Sequence, residues 1–215
     1  SDIISLSLGT EPGSSYASSS ETLEAVNEAI GEGIFVVAAA GNLDPEQNLS
    51  DVSSPASLPG VIAVGAHGKG GDPWKDSAMG SLTDLETGEN RSFPNQKPEI
   101  MAPGVDLWSC IDSERDPPFA FSTGTSDSTV IVTGALALIL SIHGEQIAGS
   151  DGEIDEQEMR LVKVALANSA KKPEGQTETH DKQSGYGLLD AVEWSKQIQK
   201  EFGIGMEETD SLDAQ

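Results

Sequence analysis

The sequence predicts a layered α/β fold in which helices cover a mainly parallel β-sheet. Continuous apolar runs at 34–40 and 61–66 lack the polar alternation of a half-exposed strand, as is typical of strands buried in parallel sheets. Helical periodicity at 20–33 and 126–142 separates strand patterns along the chain. Alternation of strand and helix patterns favours an α/β layered domain.

The first part of the chain alternates strand, helix and strand. Residues 3–8 predict a short buried strand, and residues 20–33 predict a helix, because apolar residues recur there at helical spacing and Gly33 ends the pattern. Strands follow at 34–40 and 61–66, joined by a polar, proline-bearing loop at 42–60.

The second part is richer in helices. Residues 69–98 predict irregular structure with a surface insertion at 77–91, before a short strand at 99–102. The segment 126–142 is apolar nearly all round and therefore predicts a buried helix. Asp155 with Glu158 three residues later predicts a capped helix through Ala170. A last helix runs to about Phe202, so one domain is expected over 1–203, with an acidic mobile tail at 204–215.

Charge is the most unusual global property of the chain. The 36 acidic and 12 basic residues give a net charge of −24. This balance argues against nucleic acid as a partner, since phosphate binding needs clustered Lys and Arg. It predicts a heavily solvated surface and suggests a high-salt environment, where salt screens the self-repulsion.

Metal, redox and membrane signals are weak. The acidic stretch 151–155 leaves a structural Ca²⁺ site possible, although it lacks the full calcium-loop signature. Cys110 is the only cysteine, so no intrachain disulfide can form. We find no apolar stretch near the ~20 residues that span a bilayer, and predict no membrane span.

A candidate nucleophile lies in Gly124-Thr125-Ser126-Asp127-Ser128, directly before an apolar helix pattern. A helix N-terminus offers unpaired amides and positive potential to an oxyanion. Upstream, Asn42 ends the alanine-rich strand pattern VVAAAGN. Alone, each of these patterns is weak evidence for catalysis.

Six segments in the same order resemble the subtilisin-like serine proteases, or subtilases. They are SLSLG at 5–9, VVAAAGN at 36–42, VIAVGA at 61–66, MAPG at 101–104, GTS at 124–126 and GYGLLDA at 185–191. The resemblance implies a three-layer subtilisin-like fold. It covers only the C-terminal part of the family's catalytic domain, whose first strands and helices are absent here.

The resemblance also implies roles for individual residues. Ser126 would be the nucleophile, and the Asn42 side chain would bind the oxyanion together with the Ser126 amide. A polypeptide substrate would lie along two segments, and the loop 53–59 would form an apolar pocket floor. No catalytic cofactor or metal is implied, structural Ca²⁺ occurs in relatives, and a secreted protein is favoured. The expected substrate-binding residues are Ser7, Leu8, Gly9, Ala38, Ala39, Ala40, Gly41 and Thr125.

The sequence departs from the family in two respects. Neither the Asp turn nor the His-Gly-Thr turn occurs, and we interpret His67, His143 and His180 as surface or capping residues. Asp127 stands where the family usually has Met. Related sedolisins use an aspartate as oxyanion donor, and Asn42 argues against them. Three readings stay open: the C-terminal product of a protease, one subunit of a split assembly whose partner carries Asp and His, or an inactive binding module.

Overall fold

The computed structural model describes residues 2–10, 20–43, 51–85, 87–112, 114 and 116–205. The predicted tail at 204–215 therefore lies outside the described residues beyond Gly205.

The centre of the fold is a four-stranded parallel sheet. Its strands follow chain order, β1-β2-β3-β4, and the register pairs Ser5 with Val37 and Val64 with Ile100. β2 is fully buried, as its continuous apolar run predicts. The strands span Ile3–Leu6 (β1), Phe35–Ala39 (β2), Ile62–His67 (β3) and Ile100–Pro103 (β4).

In the described part of the chain, four helices pack around this sheet and confirm the α/β fold. α2 lies across all four strands, α1 packs against β2, and α3 packs against α4. Trp194 of α4 is fully buried, and its indole N–H donates to the Val162 carbonyl of α3 at 3.1 Å. The helices span Ser20–Gly31 (α1), Thr125–Ile147 (α2), Glu156–Ser169 (α3) and Ala191–Glu201 (α4).

The structure corrects the predicted strand at 3–8. β1 ends at Leu6, and Ser7, Leu8 and Gly9 continue as exposed backbone outside the sheet. β1 is also only half-buried, because within the described residues it pairs with β2 alone and forms the outer strand of the sheet. The three residues after it are therefore free to line a cleft.

The predictions for α2 were wrong in extent and in burial. The helix runs to Ile147, and His143, predicted to end it at the surface, is a buried residue within it, with Nε2 2.9 Å from Ser195 Oγ. The face away from the sheet carries an apolar stripe: Val130, Leu138 and Ile142 are 55%, 66% and 62% exposed. A sheet covers only one side of a helix, and no other described element covers this stripe.

The length of α2 also corrects the statement that no segment could span a membrane. By length and composition alone, Thr125–Ile147 is long and apolar enough to do so. Its contacts with four strands and with α4 are those of a core helix in an α/β domain.

A β-hairpin that the sequence reasoning missed precedes α2. Strands β5 (Leu107–Cys110) and β6 (Phe119–Ser122) pair antiparallel, with Leu107 opposite Ser122 and Trp108 opposite Phe121. Directly opposite residues share a face, so Ser122 lies on the other face from the exposed aromatic pair. Each strand has only four residues, which gave too short an alternation to be recognised.

The segment 69–98 is irregular as predicted, but it is not a loose surface insertion. The Arg91 guanidinium donates to Asp51 Oδ1 at 2.7 Å, and both side chains are at most 3% exposed. Farther along, Glu99 Oε1 accepts from Lys97 at 2.9 Å and lies 2.7 Å from Lys163 Nζ. Burial, opposed by the Glu99 charge, lowers the pKa of Lys97 to about 7.

The acidic stretch 151–155 caps a helix. Asp155 accepts hydrogen bonds from the amides of Gln157 and Glu158, while the Glu158 side chain accepts from the Asp155 amide. This arrangement confirms the predicted capping box. Among the described residues, no three His, Cys, Asp or Glu side chains converge as metal ligands, and a structural calcium site stays a prediction.

Candidate active site

Backbone hydrogen bonds connect the Ser126 turn to the end of β3. Gly124 donates its N–H to the Gly104 carbonyl at 2.8 Å, and Gly104 donates to the His67 carbonyl at the end of β3. A Cβ on Gly104 would lie 2.1 Å from Ser128 Oγ and 2.7 Å from the Gly124 carbonyl oxygen. Only glycine therefore allows the start of α2 to approach the sheet this closely.

Asn42 lies against this turn in a defined orientation. Its Oδ1 accepts a hydrogen bond from the Thr125 backbone N–H at 3.0 Å and from the Thr125 hydroxyl at 2.9 Å. The hydroxyl accepts in turn from the Gly41 N–H at 3.2 Å. Because a backbone N–H can only donate, it selects the oxygen of the amide, and Asn42 Nδ2 is left as a donor for another group.

Ser126 lies in the first turn of α2, beside the segment that follows β1. Its hydroxyl donates to the Ser7 carbonyl at 3.4 Å, and the Ser7 hydroxyl donates to the Ser126 carbonyl at 3.1 Å. Two residues predicted for nucleophile and substrate contact are thus adjacent although 119 positions separate them. The first-turn position places Ser126 where helix amides and the helix dipole favour an anion.

The two predicted cleft segments face each other across a serine. Ser53 donates its N–H to the Ala40 carbonyl at 2.7 Å, and Thr10 and Ser54 exchange backbone hydrogen bonds at 3.0 Å. A Cβ on Gly9 would lie 2.7 Å from Ser53 Cβ, and one on Gly41 would lie 2.2 Å from Ser53 Oγ. Ser53 therefore packs against both glycines and occupies part of the space predicted between them.

The other predicted cleft residues differ in exposure. Ala38, Ala39 and Ala40 are buried side chains, so only their backbone could meet a substrate, whereas Leu8 is largely exposed. Thr125 is buried as well and acts through its hydrogen bonds to Asn42 and Gly41. Their roles in substrate binding stay predictions.

Each histidine has a partner away from the nucleophile. His67 Nδ1 lies 2.7 Å from the Gly68 carbonyl oxygen, and His180 Nε2 lies 2.9 Å from the Pro98 carbonyl oxygen. Burial lowers the pKa of His180, opposed mainly by its hydrogen bond to Pro98. With His143 paired to Ser195, no histidine of the chain hydrogen-bonds Ser126.

Asp127 is the half-buried residue after the candidate nucleophile. Its Oδ2 accepts a hydrogen bond from the Ser122 hydroxyl of β6 at 2.9 Å. An ideal Cβ on Gly124 would lie 3.7 Å from this oxygen and 3.3 Å from Asn42 Nδ2. The carboxylate and the free amide donor therefore flank the same glycine.

Two residues around the site were not assigned by sequence reasoning. Ser53 was placed only within a predicted pocket-floor loop, and Ser122 had no assigned role. Both are small polar residues without a spacing signal, since their partners Gly41 and Asp127 are reached through loop and hairpin geometry. The pairing of Gly9 with Gly41 was the one hint that a side chain approaches between them.

Comparison with known proteins agrees with this geometry. The model of the Subtilase family matches residues 1–187. Subtilisin NAT of Bacillus subtilis subsp. natto is 35% identical over 142 residues, which is 66% of this chain and 31% of that protein. The major intracellular serine protease of Bacillus subtilis (strain 168) is 33% identical over 162 residues, covering 74% of this chain and 44% of that protein.

A solved structure shares the fold as well. The prenylagaramide maturation protease PagA superposes with a TM-score of 0.64 and 26% identity, over 92% of this chain and 62% of that one. The chain thus spans about a third to under a half of the two curated relatives and somewhat under two thirds of this structure.

Proposed function

Because this chain belongs to the subtilase family, we propose that it supplies the nucleophile, the oxyanion donor and the substrate cleft of a serine endopeptidase. The observation that carries the proposal is the oriented Asn42 amide beside Ser126. The relatives that match are named subtilisins and serine proteases.

The proposed chemistry is acyl transfer to serine. Ser126 Oγ attacks the peptide carbonyl carbon as its proton passes to a histidine, and the carbonyl oxygen becomes an oxyanion. Asn42 Nδ2 and the Ser126 backbone N–H donate to that oxygen. When the C–N bond breaks, the histidine returns the proton to the leaving amine; water then hydrolyses the ester by the same proton transfers in reverse.

The histidine and its aspartate partner are proposed to come from a segment that docks on this chain, either upstream in the same polypeptide or in a companion chain. The exposed stripe of Val130, Leu138 and Ile142 on α2 supports this, because a large apolar helix face calls for a partner. The outer strand β1 is half-buried and leads directly into Ser7, which contacts Ser126. Ser126 therefore lies near the outer edge of the described sheet.

The setting we propose is outside the cell and at high salt. The support is the net charge of −24, whose self-repulsion high ionic strength would screen. One relative is named an intracellular protease, so the compartment rests on the charge and on the family rather than on that relative.

A serine-directed fluorophosphonate tests the activity. The chain would be produced together with the segment that supplies Asp and His, and the labelled residue would be identified by peptide mass spectrometry. We expect label on Ser126, loss of label in Ser126→Ala, and retained label in Ser109→Ala, a control serine on exposed β5. A folded complex in which Ser126 stays unlabelled would contradict the proposal.

The second candidate is an inactive binding module that retains the cleft. Asp127 favours it, since a carboxylate beside the oxyanion donor opposes negative charge on the substrate oxygen. This candidate predicts that a cleavable peptide is bound with no label on Ser126 and no product. The labelling experiment therefore separates the two functions.

A further inference from the structure

We propose that Asp127 is a specificity-determining residue that selects a cationic side chain, Lys or Arg, at the first substrate residue on the leaving-group side of the scissile bond. This inference rests on the proposed peptidase function of the same site. It concerns which polypeptides are cut, and not whether Ser126 is a nucleophile.

Asp127 lies on the side of the nucleophile that faces the β5–β6 hairpin. Ser126 contacts Ser7, and Thr125 contacts Gly41 and Asn42, so both cleft segments approach the turn from the β1 and β2 side. The Asp127 side chain instead contacts Ser122 of the β5–β6 hairpin. A polypeptide that pairs with the cleft segments and passes Ser126 continues toward this hairpin.

The Asp127 carboxylate also lies close to the proposed oxyanion donor. Asp127 Oδ2 and Asn42 Nδ2 both lie within 4 Å of the position that a Gly124 Cβ would take. In the proposed reaction the carbonyl bound by Asn42 belongs to the scissile bond, so we expect the next residue of the substrate near the carboxylate. A cationic side chain there would form a short-range ion pair with the carboxylate.

The negative charge of Asp127 is the reason for the proposed preference for a cationic side chain. Among the described residues no Lys or Arg forms an ion pair with Asp127, whose hydrogen-bond partner is the neutral Ser122 hydroxyl. A half-buried carboxylate attracts a cation more strongly than an exposed one and repels an acidic side chain, which excludes Asp and Glu at the same position.

Ser122 holds the Asp127 carboxylate in place. The Ser122 hydroxyl donates to Asp127 Oδ2 from the hairpin face opposite the exposed aromatic pair. This bond holds the carboxylate near the first turn of α2. Ser122 is therefore a positioning residue. Its loss would leave Asp127 charged but less well ordered, and would weaken the selection without reversing it.

The test uses the chain together with the segment that supplies Asp and His. Quenched-fluorescence peptides share one sequence and differ only at the first residue after the cleaved bond, which is Lys, Gln or Glu; a second set places the same residues two positions farther on. We expect kcat/KM to fall from Lys to Glu by about tenfold in the first set only. Peptide mass spectrometry confirms the position of the cut.

Variants make the test specific. Asp127→Asn should abolish the preference, Asp127→Lys should reverse it in favour of Glu, and Ser122→Ala should reduce it about threefold. Glu28→Gln removes one exposed acid on α1 and should leave the preference unchanged. The preference should decline with added salt, because the Debye length falls from about 10 Å at 0.1 M to about 3 Å at 1 M. A variant that merely loses its fold would show a lower kcat/KM for all three peptides together.

The outcomes distinguish the two proposals. Equal cleavage of the Lys and Glu peptides, or an unchanged preference in Asp127→Asn, would overturn this inference while the peptidase function stands. Absence of cleavage together with absence of fluorophosphonate label on Ser126 would overturn both. A Lys preference lost in Asp127→Asn and reversed in Asp127→Lys supports the inference.

Discussion

Asn42 Oδ1 accepts two hydrogen bonds from Thr125, one from the backbone N–H at 3.0 Å and one from the hydroxyl at 2.9 Å. These bonds join the end of β2 to the first turn of α2 across 83 positions of sequence. They leave the amide nitrogen as the donor that faces away from Thr125. In the proposed peptidase, this pair holds the oxyanion donor in place before any substrate binds, which is the preorganisation that such catalysis uses.

The first prediction concerns this pair. Asn42→Ala should lower kcat by about 10²- to 10³-fold with little change in KM, the scale established for this donor in subtilisin. Thr125→Val should lower kcat less, since the amide remains but loses one of its two anchors. Steady-state kinetics of the chain with its Asp- and His-bearing segment measures both. Equal activity of Asn42→Ala and the parent would exclude Asn42 as the donor.

The second prediction concerns the approach of α2 to the sheet. Gly104→Ala should destabilise the fold by about 1–3 kcal/mol, because the added methyl would lie 2.1 Å from Ser128 Oγ and 2.8 Å from Ala66 Cβ. The matched control is Gly144→Ala within the same helix, where nothing lies within 4 Å of the new methyl. It should stabilise by about 0.5–1 kcal/mol. Denaturant unfolding with both variants compares them, and a neutral Gly104→Ala would refute the close approach.

The third prediction tests the docking stripe on α2. Leu138→Ser and Ile142→Ser should each weaken association with the Asp- and His-bearing segment by about tenfold, since each removes a large apolar side chain from the proposed interface. Val192→Ser is the control, because Val192 of α4 is 69% exposed but lies outside the stripe. Titration of the separately produced segment, followed by fluorescence anisotropy, gives the Kd. If all three variants bind alike, the segment docks elsewhere.

The fourth prediction concerns the buried ion pair that fixes residues 77–91. Asp51→Ala should cost up to about 3–5 kcal/mol, because it removes the carboxylate 2.7 Å from the buried Arg91 guanidinium and leaves the more distant Asp84 carboxylate, at 3.7 Å, as its counter-ion. Lys196→Ala breaks the exposed pair with Glu193 and should cost at most about 0.5 kcal/mol. Thermal unfolding of the two variants provides the comparison. A small loss in Asp51→Ala would show that the pair contributes little.

The fifth prediction is a pH dependence that arises from Lys97. Its folded pKa of about 7 lies below the unfolded value of 10.5, so the unfolded state binds more protons between these values and stability rises with pH. Relative to Lys97→Met, the free energy of unfolding should increase by up to about 1.4 kcal/mol per pH unit between about pH 7 and 10. Below pH 7 the difference should be constant, with the charged lysine at its greatest disadvantage.

Urea unfolding of both proteins across pH 6–10 measures this difference, and subtraction removes the titrations that they share. Burial also lowers the pKa of Lys163, with Glu99 opposing the shift, so Lys163 adds to the rise of stability with pH in each protein separately. A difference that stays flat across the range would show that Lys97 keeps an ordinary pKa in the fold.

Much of the fold could be predicted because its signals are local. The buried strand at 35–39, the capping box at Asp155 and the glycine turn before Ser126 each depend on residues within a few positions of one another. Their limits moved by one to five residues, as at Ile147, because contacts with other elements decide where a helix or strand ends. The short hairpin β5–β6 escaped prediction, since four-residue strands carry almost no periodicity.

The sequence by itself determined the family, the order of strands and helices, and the pairing of Ser126 with Asn42 as candidate site residues. Only the tertiary structure decided that Thr125 orients the Asn42 amide, that Ser53 occupies part of the space between Gly9 and Gly41, and that one face of α2 is left uncovered. The physical reason is range. Backbone preferences and periodicity act between near neighbours, whereas a donor's direction and a helix's exposed face depend on groups brought together from distant positions.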